Sequence, residues 1–141
     1  MAKKRKKRLR RPVTVKSFLI PRLRRLSRWW PAKNVARNNA KIMTMSGVHK
    51  NGRPRTKVMY ECNICGVLVD RDGGNIDHIR PVVSLDGFIS WDDYINTLFC
   101  DASNLQHICK SCHDHKTELE QKERFRRRTL KTIRKKQNAM D

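Results

Sequence analysis

The first 60 residues contain no carboxylate: the first acidic side chain is Glu61, and 20 of the chain's 33 Lys and Arg precede it. A segment so one-sided cannot neutralise itself with internal ion pairs, so it points outward, to a polyanion. Aromatic residues are scarce at 6%, and hydrophobic residues make up 38% of 141. A chain below about 150 residues buries only roughly two-thirds of the surface its unfolded form exposes, so one modest core is expected, and a bound metal would help to fold it. No apolar run approaches the roughly 20 residues that span a bilayer, so no membrane partner is expected. No internal repeat is visible. The N-terminus is charged where a secretory signal needs an apolar stretch. The five cysteines are therefore expected as thiols in a reducing cytoplasm, not as disulfides.

The charge that is present is unevenly spread. Residues 61–120 carry 4 basic and 11 acidic side chains, and residues 121–141 carry 9 and 2. An acidic centre between basic flanks suits a metal site held onto nucleic acid by its ends. Residues 1–11 are nearly all Lys and Arg, a self-repelling run expected to be disordered until it meets phosphate. The same letters would also read as a nuclear address. Residues 12–28 have the makings of a short basic amphipathic helix interrupted by Pro21, for which membrane-surface binding is a weaker reading.

Trp29-Trp30-Pro31 resembles a helix start, and Ala32, Val35, Ala36, Ala40 and Met43 follow at helical spacing, so a helix is predicted over 31–45 with Gly47 as its stop. The tryptophans are expected to pack on the core; base stacking is the sharper alternative. Residues 47–56 read as a polar loop, and Lys57 to Glu61 as a strand. Val67-Leu68-Val69 and Asn75-Ile76-Asp77-His78-Ile79 flank a Gly73-Gly74 reversal, which predicts a β-hairpin with Asp77 and His78 on its second strand. Consecutive strand residues face opposite ways, so these two can share a site only if the strand ends there, and Pro81 supports such an end. Residues 91–99 read as a short helix, and Asp101 to Asn104 as a turn. Thr117 and Glu120 have capping-box spacing, which predicts a separate helix from 117 to about 135.

Two Cys-x-x-Cys pairs, Cys62/Cys65 and Cys109/Cys112, supply four soft thiolates, the closed tetrahedral set of a structural zinc. Cys100 is left over as a small buried hydrophobe. Chemistry would need a second, harder site: Asp77 offers carboxylate oxygen and His113 imidazole, a set suited to Mg²⁺ or Mn²⁺. His78 has the intrinsic pKa of a base near neutral pH.

Asp77-His78-Ile79, Asn104-Leu105-Gln106 and Cys109-x-x-Cys112-His113-x-x-Lys116-Thr117, inside two Cys-x-x-Cys pairs, resemble the HNH endonucleases. The likeness is in particular to the small four-cysteine, zinc-stapled members frequent in bacteriophage genomes, homing endonucleases among their roles. The resemblance covers roughly residues 29–123. It implies an α+β fold, a ββα-metal finger with zinc knuckles and extra helices; it fades over the basic arm of residues 1–28 and the basic helical tail of residues 124–141, which are read from their charge. It also implies cleavage of DNA, expected to be double-stranded, to 5′-phosphate and 3′-hydroxyl ends, in a host's cytoplasm if phage-encoded. In that reading His78 is the general base, Asp77 and His113 bind the catalytic ion, Asn104 braces the loop that orients His78, and Lys116 contacts phosphate. His113 stands where many relatives carry asparagine, and His115 is expected to be merely exposed. Residues 1–28 hold no expected ligand or base and should serve binding alone. The rivals are a non-catalytic zinc-stapled nucleic-acid-binding protein and an RNA nuclease.

Overall fold

A computed structural model describes residues 12–139; the Lys/Arg run of residues 1–11, read as a disordered arm, lies outside the described residues. The fold is α+β, with helices set around two small antiparallel sheets.

The described chain opens with α1 (Val15–Leu26). Thr14 and Ser17 close its start reciprocally, the Thr14 hydroxyl accepting the Ser17 N–H at 3.1 Å and the Ser17 hydroxyl accepting the Thr14 N–H at 2.9 Å. Pro21 lies inside this helix and does not end it. A 3-10 turn over Ser27–Trp29 leads to α2 (Pro31–Asn39), with Pro31 at the first helical position as its ring geometry favours. The helix expected over 31–45 stops at Asn39: two weak helix formers, Asn38 and Asn39, end it, and Met43 belongs to β1 (Lys41–Val48).

β1 pairs antiparallel with β2 (Pro54–Glu61), Lys41 opposite Tyr60 and Val48 opposite Pro54, with an irregularity between Met45 and Gly47. Gly47 thus marks a bulge and not a helix stop. Both strands are largely exposed toward their shared turn.

The hairpin expected between residues 67–69 and 75–79 does not form. β3 (Leu68–Val69) folds back on β2, while β4 (Gly74–His78) pairs with β5 (Leu105–Cys109) in a separate sheet. A two-residue strand fixes its partner through the knuckle before it: the Cys62 N–H donates to the Val67 carbonyl at 2.9 Å, and Gly66, at φ 72°, donates to the Cys62 carbonyl at 2.8 Å.

Between β4 and β5 the chain makes an excursion through α3 (Trp91–Leu98), capped by the Ser90 hydroxyl, and a 3-10 turn over Ala102–Asn104. Tyr94, Leu98, Leu105 and Ile108 are buried along this stretch. α4 (Lys110–Gln137) then runs unbroken for 28 residues. The predicted helix start at Thr117 is absent, since its hydroxyl donates back to the His113 carbonyl at 2.8 Å within the helix. α2 packs on β4, β5 and the Ala102–Asn104 turn. Trp30 secures it: the indole N–H donates to the Cys100 carbonyl at 2.7 Å and the ring meets Phe99 edge-on at 5.4 Å. Trp29, by contrast, is 82% exposed. No helix among the described residues is long and apolar enough to cross a membrane.

Candidate functional site

The turn after β2 brings Cys62 and Cys65 to the place where β5 ends and α4 begins, which carries Cys109 and Cys112. The four ligand atoms lie within 4.8 Å of one another, and this is a group that could hold a metal ion. The buried Cys62 and Cys109 form a small core with Ile108, against which Val69 and Cys112 pack. The Cys109 N–H donates to the Cys62 sulfur at 3.3 Å. Burial pushes the Cys62 thiol up, but hydrogen bonds from the backbone of Cys109, Cys65 and Ile64 outweigh it and bring the pKa down to about 6. Cys112 is pushed up to about 12 by its neighbours Cys109 and Cys65 and by burial. Four thiols this close cannot all ionise alone, and a bound cation removes the repulsion that holds the last proton on.

At the other end of β5 lies a cavity of about 390 Å³. β4 ends at His78, and Asp77 and His78 both line this cavity, so the strand end expected from Pro81 lets the two side chains serve one space. The turn that follows is held by Asn104, whose backbone carbonyl accepts the Ile79 N–H at 2.9 Å and whose side-chain oxygen accepts the Arg80 N–H at 2.9 Å. The Asn104 amide also donates to the Cys100 sulfur at 3.6 Å, so Cys100 is a half-buried acceptor.

The His78 Nε2 sits 3.2 Å from the Leu98 carbonyl. A carbonyl oxygen only accepts, so Nε2 carries the proton and Nδ1 is left with a lone pair. Burial is the largest influence on this ring and lowers its pKa, aided by the charges of Lys33 and Lys116 and opposed by the Leu98 carbonyl and Asp77. His78 is thereby favoured in its neutral form.

Lys116 lies over the end of β4. Its ammonium donates to Asp77 Oδ2 at 2.6 Å, to the His78 carbonyl at 2.5 Å, and pairs with Glu120 at 3.1 Å. Burial opposes this charge, but Asp77 and Glu120 raise the Lys116 pKa above its usual value. Lys116 is therefore held by the protein's own oxygens at the cavity wall. His113 lies one helical turn earlier on α4, partly exposed, with Nδ1 3.5 Å from Asp114 Oδ1. Among the described residues the cysteine cluster is the only gathering of three or more metal-ligating side chains. His115 is exposed.

The cavity also has walls that the motifs did not point to: Arg24 and Ser27 from α1 and its following turn, Arg28, Lys33 from α2, and Glu120 and Arg124 from α4. Arg24 and Arg28 are four residues apart in a helical stretch, a spacing that could have flagged a common face. Part of the segment over 1–28 thus walls the cavity. Arg124 donates to the Val83 carbonyl at 3.0 Å, and its Nε–H is buried with no partner among the described residues. Comparison with protein-family models, with curated proteins and with solved structures finds no match to this chain.

Proposed function

We propose that this chain is a metal-dependent endonuclease of the HNH type, hydrolysing DNA phosphodiester bonds at the cavity where β4 ends. The observation that carries the reading is the double hold of Asn104 on the Ile79–Arg80 turn, which fixes His78 beside Asp77 at the mouth of one basic-walled cavity. A zinc-stapled binding module would have no use for that arrangement. The succession β4, β5, α4, with Asp77 and His78 on the first strand and His113 on the helix, supports a ββα-metal finger.

In this reading the His78 Nδ1, whose lone pair is kept free by the Nε2 contact with Leu98, takes a proton from the attacking water. A positioned imidazole contributes typically 10²–10⁴-fold. Asp77 and His113 would hold a divalent ion, Mg²⁺ or Mn²⁺. The oxygen-rich cradle of Asp77, the His78 carbonyl and Glu120 already holds the Lys116 ammonium, so its donors suit a cation. When bound, such an ion neutralises charge developing on the phosphate and on the leaving 3′-oxygen. Lys116 fixes the Asp77 carboxylate and the end of β4, and is read here as a positioning residue.

The cysteine cluster is read as a structural zinc. A tetrahedral site with zinc–sulfur bonds of about 2.3 Å has sulfur–sulfur edges of about 3.8 Å, and Cys65 and Cys109 already stand 3.8 Å apart. Supercoiled plasmid incubated with Mg²⁺, Mn²⁺ or EDTA tests the reading. Nicked or linear product is expected with metal and none with EDTA, and His78→Ala should abolish cleavage while keeping the fold. A purified His78→Ala protein that cuts within tenfold of wild type would overturn it.

A further inference from the structure

Five cations and only two carboxylates face the cavity that holds His78: Arg24, Arg28, Lys33, Lys116 and Arg124 against Asp77 and Glu120. Lys116 and Arg124 both pair with Glu120, and Lys116 also pairs with Asp77, so the acids are already answered by the helix that follows the site. The surplus comes entirely from the segment that precedes the cysteines. None of Arg24, Arg28 and Lys33 makes an ion pair with a carboxylate among the described residues.

The backbone that carries them is held in place. Ser27, 3% exposed, donates its hydroxyl to the Arg24 carbonyl at 2.9 Å and accepts the Lys33 ammonium at 3.5 Å, tying the end of α1 to α2. α2 is in turn fixed through Trp30 and Cys100. Lys33 is half-buried, whereas Arg24 and Arg28 stand exposed at the rim. Burying an ammonium without a counter-charge costs free energy that an arriving anion recovers.

We propose that Arg24, Arg28 and Lys33 form the phosphodiester-binding wall of this site, Lys33 contacting the phosphate to be cut and the two arginines the phosphates beside it. The assignment of the inner phosphate rests on the nuclease reading. The anion itself is duplex DNA, whose phosphates recur along a line that a cavity with one inner and two rim cations can follow. The segment before the cysteines thus completes the site.

The test uses the full chain with Lys33→Gln, Lys33→Arg, Arg24→Gln and Arg28→Gln, and Arg71→Gln as a charge control on an exposed turn away from the cavity. Binding of a 20-base-pair duplex is measured in EDTA across a salt series, and single-turnover cleavage in Mg²⁺ at saturating enzyme. Each of the three Gln variants at the wall should flatten the slope of log affinity against log salt by about 0.9. Lys33→Gln should also lower the saturated rate by roughly 10²–10³-fold, the loss typical of a donor aimed at developing charge, with partial rescue in Lys33→Arg. The arginine variants should cut within a few-fold of wild type once saturated, and Arg71→Gln should match wild type in both assays. Unchanged slopes in the Lys33, Arg24 and Arg28 variants would overturn the wall. A saturated rate unchanged in Lys33→Gln would overturn the inner position of Lys33. Flattened slopes in a wild-type background that never cuts would support the wall and sink the nuclease reading. Tighter binding of single-stranded RNA of the same length would overturn duplex DNA as the ligand.

Discussion

The side-chain oxygen of Asn104 accepts the backbone N–H of Arg80 at 2.9 Å, across 24 residues of chain. With the neighbouring bond from Ile79 to the Asn104 carbonyl, it ties the exit of β4 to the start of β5. Asn104→Ala frees the Arg80 N–H to water, since this bond is exposed, so the stability cost should be small, about 1 kcal/mol. The activity cost should be larger, a tenfold or greater fall in the saturated cleavage rate, because His78 is one residue from the released turn. Asn104→Asp keeps the acceptor and should retain more activity than Asn104→Ala. Thermal unfolding and single-turnover rates on the same samples check both statements.

The two proposed metals should separate by mutation. Cys62→Ser or Cys109→Ser should lose zinc and unfold the core, because the ligand thiols are themselves buried in it. Asp77→Ala and His113→Ala should keep about one zinc per chain and lose cleavage. Metal content and circular dichroism on each purified protein decide it, and equal zinc loss in both classes would refute two sites.

Gly74 is needed for a spatial reason. A Cβ there would come within 2.5 Å of the buried His107 ring and 2.9 Å of the Ile108 carbonyl. Neither can withdraw easily, as His107 is 2% exposed with Nδ1 3.1 Å from the Glu61 carbonyl. Gly74→Ala should therefore destabilise the fold by about 1–3 kcal/mol, measurable as a lower denaturation midpoint, without directly altering a cavity side chain.

Asp86 should make α4 acid-sensitive. Hydrogen bonds from Lys131 and Arg127 hold its carboxyl below the usual range. A carboxylate whose folded pKa is depressed contributes stability that is fully present above its unfolded pKa, about 3.9, and is lost as pH falls toward the folded value. Protection of the α4 amides around residues 127–131, expressed relative to the intrinsic exchange rate at each pH, should fall below about pH 4 in wild type. Asp86→Asn should show that lower protection already at neutral pH and less further change on acidification.

The parts of the site that lie close together in sequence were legible. The strand ending at His78, the cysteine knuckles and the run from Cys109 through Lys116 are local patterns, and the structure contains a helix at Trp91–Leu98 as expected. What failed was partner choice. A short apolar strand such as Leu68–Val69 has no letter that says whether it joins β2 or β4; the knuckle geometry decides. The helix over 31–45 failed because Ile42, Met43, Thr44 and Met45 suit either period, and the pairing with β2 settled them as strand. Arg24 and Lys33 were invisible as site residues because tertiary packing, through Trp30 and Ser27, brings them to His78. Lys116, read from the sequence as a phosphate contact, lines the cavity and also pairs with a carboxylate 39 residues earlier in the chain, a partner that no local pattern names.

β5 has only five residues, yet its two ends serve different sites: Cys109 belongs to the sulfur cluster, and Leu105 pairs with His78, which lines the cavity. Four of the five, Leu105, His107, Ile108 and Cys109, are buried, so the strand cannot slacken at one end without exposing core at the other. Mass action then links the ends: any ion that binds the folded cluster and not the unfolded chain adds about 1.4 kcal/mol of stability for each tenfold rise in its free concentration above its dissociation constant. The chemical potential of metal in the surroundings, acting through one strand about 14 Å long, sets how much of the time the cavity at its far end is assembled.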